Sequence, residues 1–417
     1  MIHLKLKTST IARYYVVAVI LVFSITISYF VDAEGRNYLL IGFMVLSSIA
    51  FIFIHKLDKS EFLLFAYLGS ITFIPPIIHY DTFRLSTILY TYLFAFTFIV
   101  YKRGLLRAYL SPWEFTLILK KLIYLYFFVL IMQQLCVAIG LPVINAHAYD
   151  VAVPWKLNVL SLEPSHTGRI IALIMYSFIF IRELVSNKKL SFLSFIKQEF
   201  PLFLAFSWIM LTISSTTALL LYLLLLLRLI SHRDAPFLLF FAVSLIFLFV
   251  IFRIGVFERA FMFLKLLFQL DFNKMLYSDM SAALRIVPLV FLAKYLFSLE
   301  GFTNFFGNGV DSTGEFFKQV LNVPGIPDNF ISGGVLYIWY EYGLLAFIFY
   351  LTYTLLNFLL EKDRLFSIIF WFLLVFMYTV NVYIPWFALV LFYSLKFYED
   401  RSNASSKKSC SNDCIRC

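Results

Sequence analysis

Residues 200–230 read FPLFLAFSWIMLTISSTTALLLYLLLLLRLI, an apolar stretch with a polar break at Ser214-Ser215-Thr216-Thr217 and one charged residue, Arg228, near its end. Both flanks are basic, with Lys197 before the stretch and Arg233 after it. Because short cytoplasmic loops of membrane proteins collect Lys and Arg, both flanks are predicted on the same side of a membrane. The stretch must then cross an even number of times, although it is too short for two spans of about 20 residues. We therefore predict two short spans, of the kind found inside a helical bundle or beside a thinned or water-filled region.

The rest of the chain has a similar composition. Hydrophobic residues make up 62% of the 417 residues and charged residues 14%, and the mean hydropathy is +0.88. These values exclude an ordinary soluble domain. Apolar runs near the length of a span recur from end to end, which predicts an all-α, polytopic bundle of about 12 transmembrane helices. We expect residues 1–417 to form a single integral membrane domain.

The charge pattern predicts the orientation of this bundle. Basic residues mark alternate connections and both termini, which places both termini in the cytoplasm. The net charge of +10 thus reports contact with anionic membrane lipids rather than with nucleic acid. The predicted spans are 11–31, 38–54, 62–79, 86–101, 122–141, 170–182, 200–213, 216–230, 237–256, 334–360, 366–381 and 384–398.

Two long connections fall on the outer side, at 142–169 and at 257–333. The larger contains a predicted helix at 278–297, with Ser278 or Asp279 as its cap. Loops of this length are usually functional. A cytoplasmic tail is predicted at 399–417, and its three cysteines complete neither a disulfide framework nor a metal site. The first apolar run is expected to remain as a span, because no convincing cleavage site follows it.

Ionisable residues cluster where the first outer loop meets a span. Residues 160–172 read LSLEPSHTGRIIA, so Glu163, His166 and Arg169 lie three apart and share one stripe if a helix starts here. Pro164 suits the first turn of such a helix. One interpretation is an interfacial helix end whose charges face water. The other is the edge of an active site for an anionic substrate at the membrane surface.

Several chemistries are absent from the sequence. It has no P-loop, no G-x-G-x-x-G before a helix, no H-E-x-x-H and no EF-hand loop. It also has no Asp-rich cluster that would bind a metal with a nucleotide sugar, so we predict neither a metal site nor a cofactor. Because ATP and nucleotide sugars are absent outside the cytoplasm, a sugar donor used here is expected to be lipid-linked.

A lipid-linked donor requires two kinds of side chain. Arginine binds the oxygens of a diphosphate through its planar fork, and Arg169 and Arg285 are the candidates. A carboxylate or an imidazole must accept a proton from the attacking sugar hydroxyl, and Glu163 and His166 are the candidates. Two simpler roles stay open: Arg285 as a solvated residue of a loop helix, and His166 as a hydrogen-bonding residue at a helix end.

The order of these features resembles the bacterial O-antigen polymerase and ligase superfamily over residues 155–360. Four segments carry the resemblance: Glu163-Pro164-Ser165-His166-Thr167-Gly168-Arg169; Leu211–Leu220 around Ser214; the outer loop with Arg285 and Gly307-Asn308-Gly309; and Asn329-Phe330 before Trp339-Tyr340-Glu341-Tyr342-Gly343. The spans before residue 155 are similar in hydropathy alone.

The resemblance implies a metal-independent glycosyltransferase in the bacterial inner membrane. Its substrate would be an oligosaccharide linked to undecaprenyl diphosphate, used at the periplasmic face. Ser214 and Asn329 are then expected to bind substrate. A chain-length regulator and a flippase of the same pathway are possible partners.

The chain departs from the family pattern in two places, and the first of these favours a polymerase over a ligase. Ligases resemble one another in a His-Asn pair before the late span, where this chain has Asp328-Asn329. The arginine that often follows the first serine of the Ser-Ser-Thr-Thr segment is also missing. A polymerase moves the growing glycan to a new lipid-linked repeat unit, whereas a ligase moves the finished chain to lipid A–core.

Two other classes are weighed against this one. A flippase for lipid-linked oligosaccharides is expected to show internal repeats and broken or charged helices near mid-membrane, with short outer loops. This chain has one dominant outer loop and few charges within its spans. A purely structural membrane protein would need no cluster such as Glu163, His166 and Arg169.

Overall fold

The structure is a computed structural model, in which the chain folds into helices joined by turns and loops. It describes residues 2–31, 37–53, 57–78, 85–145, 149, 151, 153–213, 215–230, 262–263, 265–272, 274–275, 280–298, 302–321 and 332–413. Within these ranges the backbone forms no strand, and Val31 and Asn37 share an isolated antiparallel bridge. The predicted all-α class is confirmed for this part of the chain.

Fourteen α-helices in the described ranges are referred to below by number. They are α1 Ile2–Ser24, α2 Tyr38–Phe51, α3 Glu61–Ile78, α4 Leu85–Ala108, α5 Pro112–Ile139, α6 Pro164–Ser186, α7 Phe192–Thr212, α8 Thr216–Leu229, α9 Met280–Ser298, α10 Phe302–Phe306, α11 Ser312–Leu321, α12 Leu336–Phe358, α13 Arg364–Trp371 and α14 Tyr383–Asp413.

Three of the described helices are long and apolar enough to cross a membrane. They are α3, α4 and α5, with 18, 24 and 28 residues. A bilayer core takes about 20 apolar residues in a helix, so their length and composition are those of membrane-spanning segments. The larger number of about 12 crossings stays a prediction.

In the longest of the three, α5, local sequence features set both ends of the helix. Ser111 and Glu114 form a capping box in which each side chain meets the other's backbone N–H, and Pro112 occupies the first turn. Gly140 ends the helix with φ of 71°, a left-handed conformation that glycine adopts without steric cost. Just beyond this end of α5 lies the loop that carries the candidate site residues.

Helix α6 is the central helix of the bundle. It is buried along almost its whole length and packs against α5, α8 and α14. At Gly168 a Cβ atom would lie 2.5 Å from the Cβ of Ala218 and 2.8 Å from its Cα, so the backbones of α6 and α8 approach closely. The two sequence segments around Arg169 and around Thr216-Thr217 are thereby brought side by side.

The predicted spans in the described ranges fall on helices, but several helices are longer than predicted: α5 begins at Pro112 rather than at 122, α7 begins at Phe192 rather than at 200, and α4 ends at Ala108 rather than at 101. The first span is a further correction. The predicted span 11–31 ends early, because α1 stops at Ser24 and a short 3₁₀ turn follows at Ser28–Phe30. The physical reason is a tertiary contact: the N–H of Thr26 donates to the carbonyl of Leu160 at 2.8 Å and thus leaves the helix ladder.

Two late spans also differ from the prediction. The span 334–360 is broken at Gly343, whose φ of 87° and ψ of 170° are open to glycine alone among common residues. The span 366–381 is a short α-helix that continues as a π-helical turn, Phe372–Phe376. The predicted span 237–256 lies outside the described residues.

The predicted loops and tail contain more helix than expected. The loop 142–169 ends sooner, because α6 already begins at Pro164. The loop 257–333 holds α9, α10 and α11, and α9 matches the predicted helix 278–297, whereas its proposed caps Ser278 and Asp279 lie outside the described residues. The predicted tail 399–417 is a continuation of α14 as far as Asp413.

The helices alternate in direction, so the bundle has two ends of different character. At one end Arg13 of α1 pairs with Glu114 of α5 at 3.1 Å, and the carboxylate of Glu399 accepts the N–H of Lys362 at 2.7 Å. These residues adjoin the basic connections. The other end, where α6 and α14 begin, holds Glu163 and His166.

Candidate functional site

The loop that enters α6 is held in place by side chains from the end of α5. Gln133 accepts the N–H of Val159 at 3.1 Å, and Asn145 donates to the carbonyls of Val159 at 3.0 Å and Ser161 at 2.7 Å. Val159 has a positive φ of 56°, which these bonds help to maintain. The approach of the chain to the candidate site is therefore fixed by buried hydrogen bonds.

The first turn of α6 leaves the carboxylate of Glu163 available. Glu163 is the N-cap residue, with extended φ and ψ of −139° and 152°, yet its side chain makes no capping hydrogen bond. Thr167 donates to the carbonyl of Asn158 at 2.6 Å, and Ser161 donates to the carbonyl of Glu163 at 2.8 Å, which anchors the turn. An acidic cap residue that does not cap is free to take part in other contacts.

Glu163 instead faces a group of polar side chains. Its Oε2 lies 3.0 Å from the hydroxyl of Ser165, 3.7 Å from Nη2 of Arg285 and 3.9 Å from Nε2 of His166. Arg285 also donates to the Ser165 hydroxyl at 3.2 Å. The side chain of Glu163 is 47% exposed, so a ligand can reach it.

The pKa of Glu163 reports the balance of these contacts. Burial raises the pKa of this carboxyl group, but the charge of Arg285, the Ser165 hydrogen bond and the charge of Arg169 act in the opposite direction, and the pKa lies below its usual range. Glu163 is therefore a carboxylate at neutral pH.

His166 is connected to the first and last helices of the chain. Its Nδ1 lies 3.1 Å from the hydroxyl of Tyr383, at the start of α14, and the hydroxyl of Thr26 donates to that same tyrosine oxygen at 3.1 Å. The two rings meet edge to face, with centroids 5.7 Å apart. Both His166 and Tyr383 are largely buried, so their relative orientation is well defined.

Arg169, one turn further along α6, is buried and has an incomplete set of partners. The residue is 2% exposed, and its Nη1 has no hydrogen-bond partner within the described ranges. Its guanidinium lies over the ring of Tyr378 at 4.5 Å from the centroid. Burying a charged group without hydrogen bonds is costly, which indicates that Arg169 is placed to bind something else.

Arg169 and Arg285 share the wall of a cavity of about 300 Å³. Thr216 and Thr217, in the first turn of α8, also line it. Most other lining side chains are apolar, among them Leu220, Leu221, Ile286, Leu289, Phe372 and Met377. The cavity thus combines two guanidinium groups with an apolar interior, which suits an amphiphilic anion.

The π-helical turn after α13 forms part of the same cavity. Phe372 and Leu374 of this turn line it, and Met377 and Tyr378 follow directly. A π-helical turn interrupts the regular ladder of an α-helix and often occurs at functional sites. Here it ends the helix at the point where Tyr378 meets Arg169.

The structure brings together the four predicted catalytic residues. Glu163, His166 and Arg169 come from the start of α6, and Arg285 joins them from α9. They do not form one stripe, because Arg169 is directed into the cavity whereas Glu163 and His166 form a separate polar group beside it. The two predicted substrate-binding residues, Ser214 and Asn329, lie outside the described residues.

No group of three His, Cys, Asp or Glu side chains in the described ranges is arranged to hold a metal ion. The absence of a metal requirement stays a prediction.

The last two segments of the family resemblance also meet, away from the cavity. Gly307-Asn308-Gly309 packs on the break in α12: the N–H groups of Asn308 and Gly309 donate to the carbonyls of Tyr340 and Glu341 at 2.8 and 3.1 Å. The buried carboxylate of Glu341 accepts the hydroxyl of Thr313 at the start of α11. This arrangement fixes the outer loop to the bundle.

Sequence reasoning missed Thr26, Tyr378 and Tyr383. Tyr383 stands in the segment Asn381–Pro385, which the sequence marks as a turn between spans. Nothing in its spacing connects it to His166, because the two are separated by 217 positions. A polar residue at the end of an apolar run was the available signal.

Comparisons of the chain with protein-family models, with curated proteins and with solved structures give no match. The resemblance to the O-antigen polymerase and ligase superfamily therefore rests on the sequence segments alone. The function drawn from it is a proposal.

Proposed function

We propose that this protein polymerises a bacterial surface polysaccharide, O-antigen or capsule, at the periplasmic face of the inner membrane. It transfers the growing glycan from undecaprenyl diphosphate to a new lipid-linked repeat unit. The enzyme is a glycosyltransferase that uses neither a metal ion nor a cofactor. Its working partners are membrane lipids and, within the same pathway, a flippase and a chain-length regulator.

The single observation that carries this proposal is the cavity shared by Arg169 and Arg285. A polyprenyl diphosphate has an anionic head and an apolar tail, and the cavity offers two guanidinium groups beside apolar walls. Its volume of about 300 Å³ suits the diphosphate and the first isoprene units, with the rest of the tail in the bilayer.

The polar group beside the cavity supports the chemical step. Transfer requires a hydroxyl of the acceptor sugar to lose a proton while the diphosphate leaves with the bonding electron pair. Arg169 and Arg285 stabilise the charge that grows on the leaving diphosphate. Glu163 and His166 lie beside Arg285 and Ser165, where either can meet the sugar.

The proposal requires the candidate site to lie outside the cytoplasm. We expect topology reporters fused after Lys189, Arg233 and Lys362 to read cytoplasmic, and reporters after Ala148 and Asp311 to read periplasmic. A cytoplasmic result at Asp311 would contradict the proposed function, because polyprenyl-linked repeat units are joined on the outer face.

The decisive test of the function is a deletion strain of the source bacterium. We expect its lipopolysaccharide to show a single repeat unit on lipid A–core in place of the parent's ladder, which the intact gene restores. Complete loss of surface polysaccharide with accumulation of lipid-linked polymer would identify a ligase. Lipid-linked units trapped on the cytoplasmic face would identify a flippase.

Two measurements with purified protein test the donor class. Lipid-linked repeat units extracted from the deletion strain are expected to be elongated in the presence of a chelator. Activity that disappears with the chelator and returns with Mg²⁺ or Mn²⁺ would contradict metal independence. Geranylgeranyl diphosphate is expected to protect the protein against thermal unfolding, and geranylgeraniol is expected to protect it less.

A further inference from the structure

All described contacts to the Glu163 carboxylate converge on one of its two oxygens. The Ser165 hydroxyl, Arg285 Nη2 and His166 Nε2 lie 3.0, 3.7 and 3.9 Å from Oε2. Within the described part of the chain, no hydrogen bond is donated to Oε1. With the side chain 47% exposed, the carboxylate is held by one oxygen and presents the other.

The hydrogen bonds around Tyr383 determine which nitrogen of His166 carries the proton. The oxygen of Tyr383 accepts the hydroxyl proton of Thr26, and it lies 3.1 Å from Nδ1 of His166. If Tyr383 then donates its own hydroxyl proton to Nδ1, both hydroxyl protons, of Thr26 and of Tyr383, form hydrogen bonds. If Nδ1 were the donor instead, the tyrosine oxygen would accept two hydrogen bonds, and the tyrosine's own hydroxyl proton would have no acceptor among Thr26 and His166.

A neutral histidine whose Nδ1 accepts a hydrogen bond carries its proton on Nε2. This Nε2–H is the nitrogen that faces Oε2 of Glu163. It has no lone pair in the ring plane with which to take a proton from a substrate. Burial of the ring, and to a smaller extent the positive charges of Arg169 and Arg285, lower the pKa of His166 to about 3 and outweigh the opposite effect of Glu163, so the ring is neutral.

On the basis of the proposed function, we propose that Glu163 is the catalytic base and that it accepts the sugar proton through Oε1. Thr26 and Tyr383 hold His166 in its Nε2–H form, and His166 in turn orients the Glu163 carboxylate. His166 and Tyr383 are positioning residues, and neither takes the proton.

The step balances as follows. The acceptor hydroxyl oxygen forms a bond to the anomeric carbon of the donor glycan, and the bond from that carbon to the diphosphate oxygen breaks. The hydroxyl proton passes to Oε1 of Glu163. The electron pair leaves with the diphosphate, whose added charge faces Arg169 and Arg285.

The experiment compares amide variants, because each amide reproduces a different ring nitrogen. Glutamine places its NH₂ near the position of Nε2, and asparagine places it near Nδ1. We measure polymer formation by purified variants from the lipid-linked repeat units that accumulate in the deletion strain. His166→Gln keeps a donor toward Glu163, so we expect it to remain within about tenfold of wild type.

His166→Asn lacks that donor and is expected to lose considerably more activity. Glu163→Gln removes the base and is expected to lose a factor of about 10²–10⁴. Tyr383→Phe is expected to lower kcat a few-fold with KM unchanged, and to have no further effect in a His166→Gln background, because tyrosine acts through Nδ1. Glu114→Gln and Tyr398→Phe are matched controls at the opposite end of the bundle.

These controls resemble the tested residues closely. Glu114 is 41% exposed, accepts a serine hydroxyl at 2.9 Å and pairs with Arg13, and Tyr398 donates to a backbone carbonyl. Both variants are expected to retain wild-type activity.

The inference is overturned if His166→Gln is as inactive as Glu163→Gln, or if Glu163→Gln retains activity. An acidic limb near pH 6.5 in the rate profile that His166→Gln abolishes would identify His166 as the base. A wild-type protein that forms no polymer contradicts the proposed function itself, which separates the two failures.

Discussion

Arg169 and Arg228 are two buried arginines at opposite ends of the α6–α8 pair, and they have opposite environments. Arg228 pairs with Glu183 at 2.5 Å and with Asp363 at 2.6 Å. Arg169 has no such pair within the described residues and instead lines a cavity. Both lie over a tyrosine ring, at 5.1 Å from Tyr176 for Arg228 and 4.5 Å from Tyr378 for Arg169.

The difference shows how a buried charge can be assigned a role. At the Arg228 end, two carboxylates neutralise the guanidinium, and Tyr176 donates to Asp363 at 3.1 Å. This network ties α6, α8 and the turn before α13 together. At the Arg169 end, the described residues supply an aromatic face but no carboxylate within ion-pair distance of the guanidinium, so we expect a bound anion to complete the site.

The largest expected effect is a loss of stability at the Arg228 end of the α6–α8 pair. Arg228→Ala leaves Glu183 and Asp363 buried without their partner, which typically costs about 3–5 kcal/mol. We expect a marked fall in the amount of folded protein in the membrane and in the unfolding temperature of the purified protein.

Arg182→Ala, near the end of the neighbouring helix α6, is the control for Arg228→Ala. Its side chain is 24% exposed and lies 3.6 Å from Glu199, so its loss should cost less than about 1 kcal/mol. Equal stability of the Arg228→Ala and Arg182→Ala proteins would mean that the paired cluster does not hold the helices together.

The second expected effect is on glycan transfer, at the Arg169 end of the α6–α8 pair. Under the proposed function, Arg169→Ala and Arg285→Ala each remove a donor to the leaving diphosphate, and such a loss typically costs about 3 kcal/mol or a hundredfold in rate. We expect short or absent polymer from protein of normal abundance. Lysine keeps the charge but lacks the planar fork, so Arg169→Lys is expected to restore only part of the activity.

The two arginine experiments together can contradict the comparison. Wild-type ladders from both Arg169→Ala and Arg285→Ala would show that the cavity is not the donor site. A protein that unfolds on Arg169→Ala as it does on Arg228→Ala would show that Arg169 is structural.

The third expected effect concerns the close contact between α6 and α8 beside Arg169. Gly168→Ala would place a methyl group 2.5 Å from the Cβ of Ala218, so α6 and α8 must separate. Overpacking of this kind costs about 1–3 kcal/mol, and it also moves Thr217 away from Arg169. We expect a lower unfolding temperature and weaker protection by geranylgeranyl diphosphate.

Gly42→Ala is the matched control for Gly168→Ala, because an added Cβ at Gly42 meets no atom within 4 Å. It is expected to be neutral or slightly stabilising, since alanine favours a helix by up to about 1 kcal/mol. If Gly168→Ala were equally harmless, the close approach of α6 and α8 would have no role at the site.

The sequence predicted which segments are helical, because apolar runs are local features. Pro164 was recognised as a first-turn residue of α6, whereas the start of α5 was predicted at 122 instead of Pro112, although Ser111 and Glu114 form a local capping box there. The end of α1 was predicted too late, because the backbone bond from Thr26 to Leu160 depends on a distant loop. No local pattern could contain that information.

Part of the candidate site could be predicted, because ionisable residues are costly to bury in an apolar chain and therefore indicate a functional or structural role. Glu163, His166 and Arg169 stood out on that ground, and Arg285 was added from the loop helix. Tyr383 and Tyr378 did not stand out, since aromatic residues are common throughout this chain. Likewise no local pattern marked the ion pairs of Arg228, because its partners Glu183 and Asp363 are far from it in sequence.

The smallest expected effect is the pH dependence of stability that comes from Glu163, near the Arg169 end of the α6–α8 pair. Because the pKa of Glu163 is lowered in the folded protein, its contribution to stability is present above the unfolded pKa of about 4.3 and is lost as pH falls through the folded pKa. The side chain is 47% exposed, so the contribution is about 0–1 kcal/mol. We expect Glu163→Gln to lower the unfolding temperature slightly near pH 7, with the difference from wild type disappearing below about pH 4. A difference that instead grows as pH falls would mean that the carboxylate destabilises the fold, and that Arg285 and Ser165 do not hold it as the structure indicates.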